Sequence, residues 1–178
     1  MKFSRGLMIG RFQPFHNGHL MIVKKALEDC AELIIGIGSA QSSHTIENPF
    51  TSGERFEMIL RTLKNEKIQN CHIVPIVDVN RCGIWVAHVL NILPKFEVYY
   101  SNNQTDIRLF KEAGIKVCEP GLVEREHLEG SKLRQMMLEG QAWKKHVPST
   151  VAEVIDEIDG ISRLRAVSYA TNRCHSKH

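Results

Sequence analysis

Apolar residues come in short runs separated by polar, helix-length stretches, and this alternation predicts the fold. Leu7-Met8-Ile9 and Leu33-Ile34-Ile35-Gly36-Ile37 read as buried strands. Between them, Leu20 to Leu27 reads as a helix. Thr51 and Glu54 form a capping-box pattern that opens a second helix through Phe56, Ile59, Leu60 and Leu63. Ile73 to Val77 is a third strand, and its internal Pro75, which has no N–H to donate, places it at an edge or a bulge. A helix over Gly83–Leu93, a strand over Phe96–Tyr100, a helix over Ile107–Ala113 and a short strand over Ile115–Cys118 follow. Ser131–Leu138 and Ser149–Asp159 read as helices, and Leu164, Ala166, Val167, Tyr169 and Ala170 continue helical packing beyond Gly160. Five strands interleaved with helices predict an α/β fold: a doubly wound, parallel five-stranded sheet of Rossmann-like type with C-terminal helices. Residues 1–171 are expected to form a single domain, and 172–178 a polar, frayed tail.

Composition narrows the class. A chain of 178 residues with 43% apolar and 24% charged residues can bury an ordinary core without staples. No apolar run is long enough for a membrane span, and the run after Lys2 and Arg5 is too short for a signal peptide. A net charge of +3 makes no case for a nucleic-acid partner. Cys30, Cys71, Cys82, Cys118 and Cys174 are odd in number and irregular in spacing, which argues for reduced thiols in a cytoplasmic protein, most of them small apolar core residues.

In a parallel sheet the chemistry lies in the loops that follow the strands. Gly10-Arg11-Phe12-Gln13-Pro14-Phe15-His16-Asn17-Gly18-His19 is the first of these and runs into a helix N-terminus, where free N–H groups and the helix dipole suit a phosphate. Gly10 and Gly18 admit close backbone approach, and Arg11 offers a planar fork of donors. With the helix starting near Asn17, His19 shares a face with Val23 and Ala26, and His16 stands just above it at the mouth. Two imidazoles there could donate to a phosphoryl group. A zinc fragment or a structural role are the competing readings, but no further ligand motif accompanies the pair. Gly38-Ser39-Ala40-Gln41 after the second strand is small and polar. Asp78 follows the third strand, and Trp85 lies seven residues on, either as core or as a ligand platform. Ser101-Asn102-Asn103 after the fourth strand fits a ligand contact or a helix cap equally. Near the end, Ser131 can cap a helix, with Arg134 one turn further on the same side, so that helix dipole and guanidinium would meet a pyrophosphate together.

The first loop resembles the His-x-Gly-His signature of the nucleotidyltransferase superfamily, and its ten positions are similar to the archaeal type of nicotinamide mononucleotide (NMN) adenylyltransferase. Gly-Ser-Ala-Gln at 38–41, followed by His44, Ile46, Pro49, Phe50, Thr51, Gly53, Glu54 and Arg55 in register, extends the resemblance. Ser131-x-x-Arg134 resembles the superfamily's second signature, with Ser where Thr is usual; Gln104 stands where the family has Pro. The likeness covers the chain to about Gly160. It implies a nucleotidyltransferase fold and the reaction of ATP with NMN to give NAD and pyrophosphate. It implies catalytic roles for His16, His19, Arg11 and Arg134. It assigns ATP to Gly10, Arg11, Phe12, Gln13, Gly18, Asn103, Ser131 and Arg134, and the acceptor to Ser39, Asp78 and Trp85. Mg²⁺ is expected with ATP, bridging its oxygens with mostly water ligands and no protein metal site. The resemblance also implies a homo-oligomer. Other phosphate acceptors (nicotinate mononucleotide, FMN, phosphopantetheine) and a non-catalytic nucleotide-binding module remain alternatives.

Overall fold

A computed structural model describes residues 1–121 and 129–175, with side chains through Ala170. Strands β1 (Phe3–Gly10), β2 (Cys30–Ile37), β3 (Cys71–Pro75), β4 (Val98–Tyr100) and β5 (Lys116–Cys118) form one sheet in the order β3-β2-β1-β4-β5. Every pairing is parallel. Helices α1 (Asn17–Asp29), α2 (Ser52–Asn65), α3 (Cys82–Ile92) and α4 (Gln104–Glu112) alternate with the strands, and α5 (Gly130–Leu138), α6 (Ser149–Glu157) and α7 (Gly160–His175) follow.

The period-two alternation of the strands sorts their side chains onto two faces. Met8, Leu33, Ile35, Ile37, Val98 and Tyr100 pack with Leu20, Val23 and Ala26 of α1, Met58, Ile59 and Leu63 of α2, and residues of α5, α6 and α7. Leu7, Ile34 and Tyr99 point the other way, onto Val86 and Val89 of α3 and Phe110 of α4. The chain winds outward from β1 to β3 and returns to β4 on the other side of β1. A crevice therefore opens beyond the C-terminal ends of β1 and β4, where the winding reverses.

Of the expected edge or bulge, the edge is what forms: among the described residues β3 pairs only with β2, and it ends at Pro75 rather than Val77. The Thr51–Glu54 capping box is present, with Glu54 N to Thr51 Oγ1 at 3.2 Å and Thr51 N to Glu54 Oε2 at 2.8 Å. The cysteines largely fit the expectation, since Cys71 and Cys118 pack against the core that holds Cys30. Cys30 alone of the four described is buried; Cys71 and Cys118 are half-buried and Cys82 is exposed. The backbone of α7 stays helical to His175, past the start of the expected tail, and 176–178 lie outside the described residues. Among the described residues no helix is long and apolar enough to cross a membrane.

Candidate active site

The two histidines build their own helix cap. His16 is the N-cap of α1, and its Nδ1 accepts from His19 N–H at 3.3 Å. His19 Nδ1 accepts in return from His16 N–H at 3.2 Å. This is a capping box made of imidazoles, which the three-residue spacing alone allows. An Nδ1 that accepts from a backbone N–H has no proton of its own. In the neutral ring the proton must then sit on Nε2, so each histidine presents an Nε2–H donor. The rings stack with centroids 3.5 Å apart, and the Phe12 edge and the Phe15 ring pack on His19 at 4.8 and 5.5 Å. Burial pushes His16 down to about 4, and burial with the neighbouring His16 holds His19 well below its ordinary value. Both are neutral at physiological pH.

A buried arginine holds the floor of the site. Arg55 in the first turn of α2 is wholly buried. Its Nη1 donates to Arg11 O and Gly38 O, both at 2.8 Å, its Nη2 to Ser39 O at 3.0 Å, and its Nε to Thr51 O at 3.2 Å. One planar fork thus ties the loops after β1 and β2 to the start of α2. Burial lowers its guanidinium to about 10, so it stays charged. The tie bears on loops in uncommon backbone: Phe12 and Ser39 have φ of 50° and 48°. At Gly10 an added Cβ would lie 2.8 Å from the Phe12 ring, so glycine is required there by packing within the loop. Asp78 secures the second loop from the side, accepting from Ser39 N–H at 3.2 Å and Gln41 Nε2 at 3.4 Å.

The N-terminal end of α5 closes the site. Arg134 is buried, and its Nη1 donates to Gln13 O at 2.8 Å. Its Nε is buried without a partner. Desolvation and nearby Arg11 lower its guanidinium, so the site concentrates positive charge. The expected cap is corrected: Glu129 is the N-cap residue of α5 and makes no side-chain cap bond, while Ser131 sits inside the first turn. Its exposed hydroxyl faces the same depression as Arg11 and the two histidines.

Three adjoining spaces result. A cavity of about 510 Å³ lies along α1 and β4, lined by Ile9, Gly18, His19, Ile22, Tyr100 and Asn103. A second of about 390 Å³ lies toward α3 and α4, lined by Gly10, Arg11, Ser39, Asp78, Trp85 and Asp106. Ile9, Ser101 and Asn103 line both, at the gap between β1 and β4. A third depression of about 280 Å³ joins Arg11, His16, His19, Ser131 and Arg134. Every residue expected in the site lines at least one of the three. Phe12 and Gln13 do so with committed side chains: Phe12 is in the core, and the Gln13 amide is paired both ways with the backbone of Phe50, at 2.9 and 3.0 Å. Asn103 is the cap of α4, its Oδ1 accepting from Thr105 and Asp106 N–H, which leaves its amide NH₂ for the cavities. Trp85 is half-buried, with one part packed in the core and the rest on the second cavity.

Sequence reasoning placed Arg55 in the family pattern but gave neither it nor Asp106 a role in the site. Arg55 carried a signal, since it is in phase with the buried stripe Met58, Ile59, Thr62 and Leu63 of α2. An arginine on a core stripe needs buried acceptors. Asp106 gave none beyond an acid in a first helical turn.

The profile of the cytidylyltransferase-like family matches residues 7–159. The chain is 52% identical over 167 residues to the nicotinamide-nucleotide adenylyltransferase of Thermoplasma acidophilum, covering 94% of this chain and 93% of the relative. It is 50% identical over 169 residues to that of Archaeoglobus fulgidus, covering 92% and 97%. The chain belongs to the nicotinamide-nucleotide adenylyltransferase family. Among solved structures, a bifunctional NMN adenylyltransferase/ADP ribose pyrophosphatase from Francisella tularensis, complexed with AMP and a manganese ion, superposes with a TM-score of 0.77. At 24% identity, over 99% of this chain and 56% of that one, it speaks for the fold alone. The family's name fits a cleft with one cationic depression between two larger cavities.

Proposed function

We propose that this adenylyltransferase joins ATP and NMN by direct in-line attack of the NMN phosphate on the α-phosphorus, giving NAD and pyrophosphate. The observation that carries the reading is the pair of neutral Nε2–H donors where the cavity beside α1 joins the depression of Arg11, Ser131 and Arg134, with the second cavity meeting the first at Asn103. The cavity beside α1 takes the adenosine, and the cavity beside Trp85 takes the nicotinamide nucleoside. The depression of Arg11, Ser131 and Arg134 takes the β- and γ-phosphates.

The attacking oxygen is already anionic, so no general base is needed. Catalysis then rests on positioning and on charge stabilisation as the phosphorus becomes five-coordinate. The two Nε2–H groups would donate to non-bridging α-oxygens. Arg134 would hold the departing pyrophosphate through its Nε and Nη2, neither of which has a partner among the described residues. Among the described residues no cluster of three or more His, Cys, Asp or Glu could hold a metal ion. Mg²⁺ would arrive with ATP, and when bound it would neutralise triphosphate charge. The exposed Val77, Ile84, Leu90 and Ile92 around α3 support a homo-oligomer, which sedimentation would test. The unpaired Cys30, Cys71, Cys82 and Cys118 support a cytoplasmic setting.

The test is an acceptor panel. With Mg-ATP and NMN, nicotinate mononucleotide, FMN or phosphopantetheine, pyrophosphate should be released fastest with NMN. Release with FMN or phosphopantetheine at the higher rate would overturn the assignment of the second cavity.

A further inference from the structure

Two carboxylates line the second cavity, and only one of them is fully engaged. Asp78 accepts from Ser39 N–H and Gln41 Nε2, one bond to each oxygen. Asp106, in the first turn of α4, accepts at Oδ2 from the Tyr99 hydroxyl at 3.3 Å. Its Oδ1 has no partner among the described residues. Among the described residues, the positive side chains on this cavity are Arg11, which also faces the phosphate depression, and the exposed Arg81. The wall of the cavity that also holds Trp85 and Leu109 thus presents a carboxylate oxygen of Asp106 that no donor among the described residues engages.

We infer that Asp106 is a specificity determinant that makes this enzyme reject acceptors carrying a carboxylate on the pyridinium ring in favour of those carrying a carboxamide. The inference rests on the assignment of this cavity to the nicotinamide nucleoside. A pyridinium with a neutral amide is a cation, attracted both by a carboxylate and by an indole face. Its acid analogue adds a negative charge, which an existing carboxylate in a partly desolvated pocket repels. Discrimination then comes from a repulsive element directed at the wrong acceptor, not from a tighter fit to the right one. A purely structural role is the competing account, because Asp106 also anchors Tyr99 and completes the first turn of α4.

Charge and anchoring separate by mutation. Asp106→Asn removes the charge and keeps an oxygen to accept from Tyr99. Tyr99→Phe removes the hydrogen bond and keeps the charge. The readout is the ratio of kcat/KM for NMN to kcat/KM for nicotinate mononucleotide. In Asp106→Asn this ratio should fall about tenfold, mainly because the acid acceptor is used better. In Tyr99→Phe it should stay as in the wild type. If Asp106→Asn does not fold, Asp106→Ser carries the same expectation. A wild-type ratio in a folded, uncharged variant overturns the inference, as does an equal fall in Tyr99→Phe. A wild-type enzyme that turns over neither pyridine nucleotide would instead fail the assignment of the cavity.

Discussion

His16 and His19 act as each other's cap partners, and this fixes both their tautomer and their charge. Replacing His19 with Ala removes one transition-state donor and should lower kcat by roughly 100-fold or more, with a smaller change in KM. Steady-state kinetics checks this, and near-normal turnover would remove His19 from the mechanism. Because both rings are neutral, kcat should stay level between pH 8 and 6; a loss of rate centred near the ordinary histidine value would mean that a charged imidazole is required. Stability behaves differently. The folded His16 titrates near 4 against an ordinary 6.5, so below 6.5 the unfolded chain takes up a proton that the folded one refuses. The stabilisation is complete above 6.5 and is lost as the pH falls toward 4. His16→Asn keeps a good cap residue without the titration, and its melting temperature should fall less between pH 7 and 5 than that of the wild type.

At the scale of elements, the loops are held by groups that belong to other elements. Arg55 of α2 fixes the loops after β1 and β2, and Arg134 of α5 fixes the first of them at Gln13. Arg55→Lys offers three donors from one point and cannot reach carbonyls on three segments. It should cost about 2–4 kcal/mol in denaturant unfolding, since buried carbonyls lose their partners. Arg134→Ala should weaken ATP binding and leave NMN binding nearly intact, and Arg134→Lys should not restore it. Equal loss for both substrates would point to a folding defect. The elements themselves were largely legible. Apolar runs marked the strands, Pro75 marked the edge, and Thr51 with Glu54 marked the start of α2, because each signal is local. The ends of strands were less so: Phe96 is buried, yet β4 begins only at Val98, where pairing with Gly6 of β1 starts. The burial of Arg55 could be read from its place on the α2 stripe, but the carbonyls it ties together and the imidazole capping box could not, because both depend on backbone atoms that only the folded loops bring together.

At the scale of the whole molecule, one cleft at the reversal of the sheet winding would hold both substrates and the leaving group. The acceptor side depends on Trp85, which both packs in the core and lines the second cavity. Trp85→Ala should raise KM for NMN by about tenfold to a hundredfold through lost stacking and cation–π attraction, while KM for ATP moves little. A large fall in melting temperature with unchanged KM for NMN would assign Trp85 to the core alone. The central claim is that the adenylyl group passes straight from ATP to the acceptor, with no protein nucleophile between. It is tested most directly with ATP labelled at the α-phosphate. With Mg²⁺ and NMN, the label should appear only in NAD, with one pyrophosphate released for each NAD formed, and none should be found on the protein when NMN is withheld. Label bound covalently to the protein in the absence of NMN, or pyrophosphate released without NAD, would contradict the account.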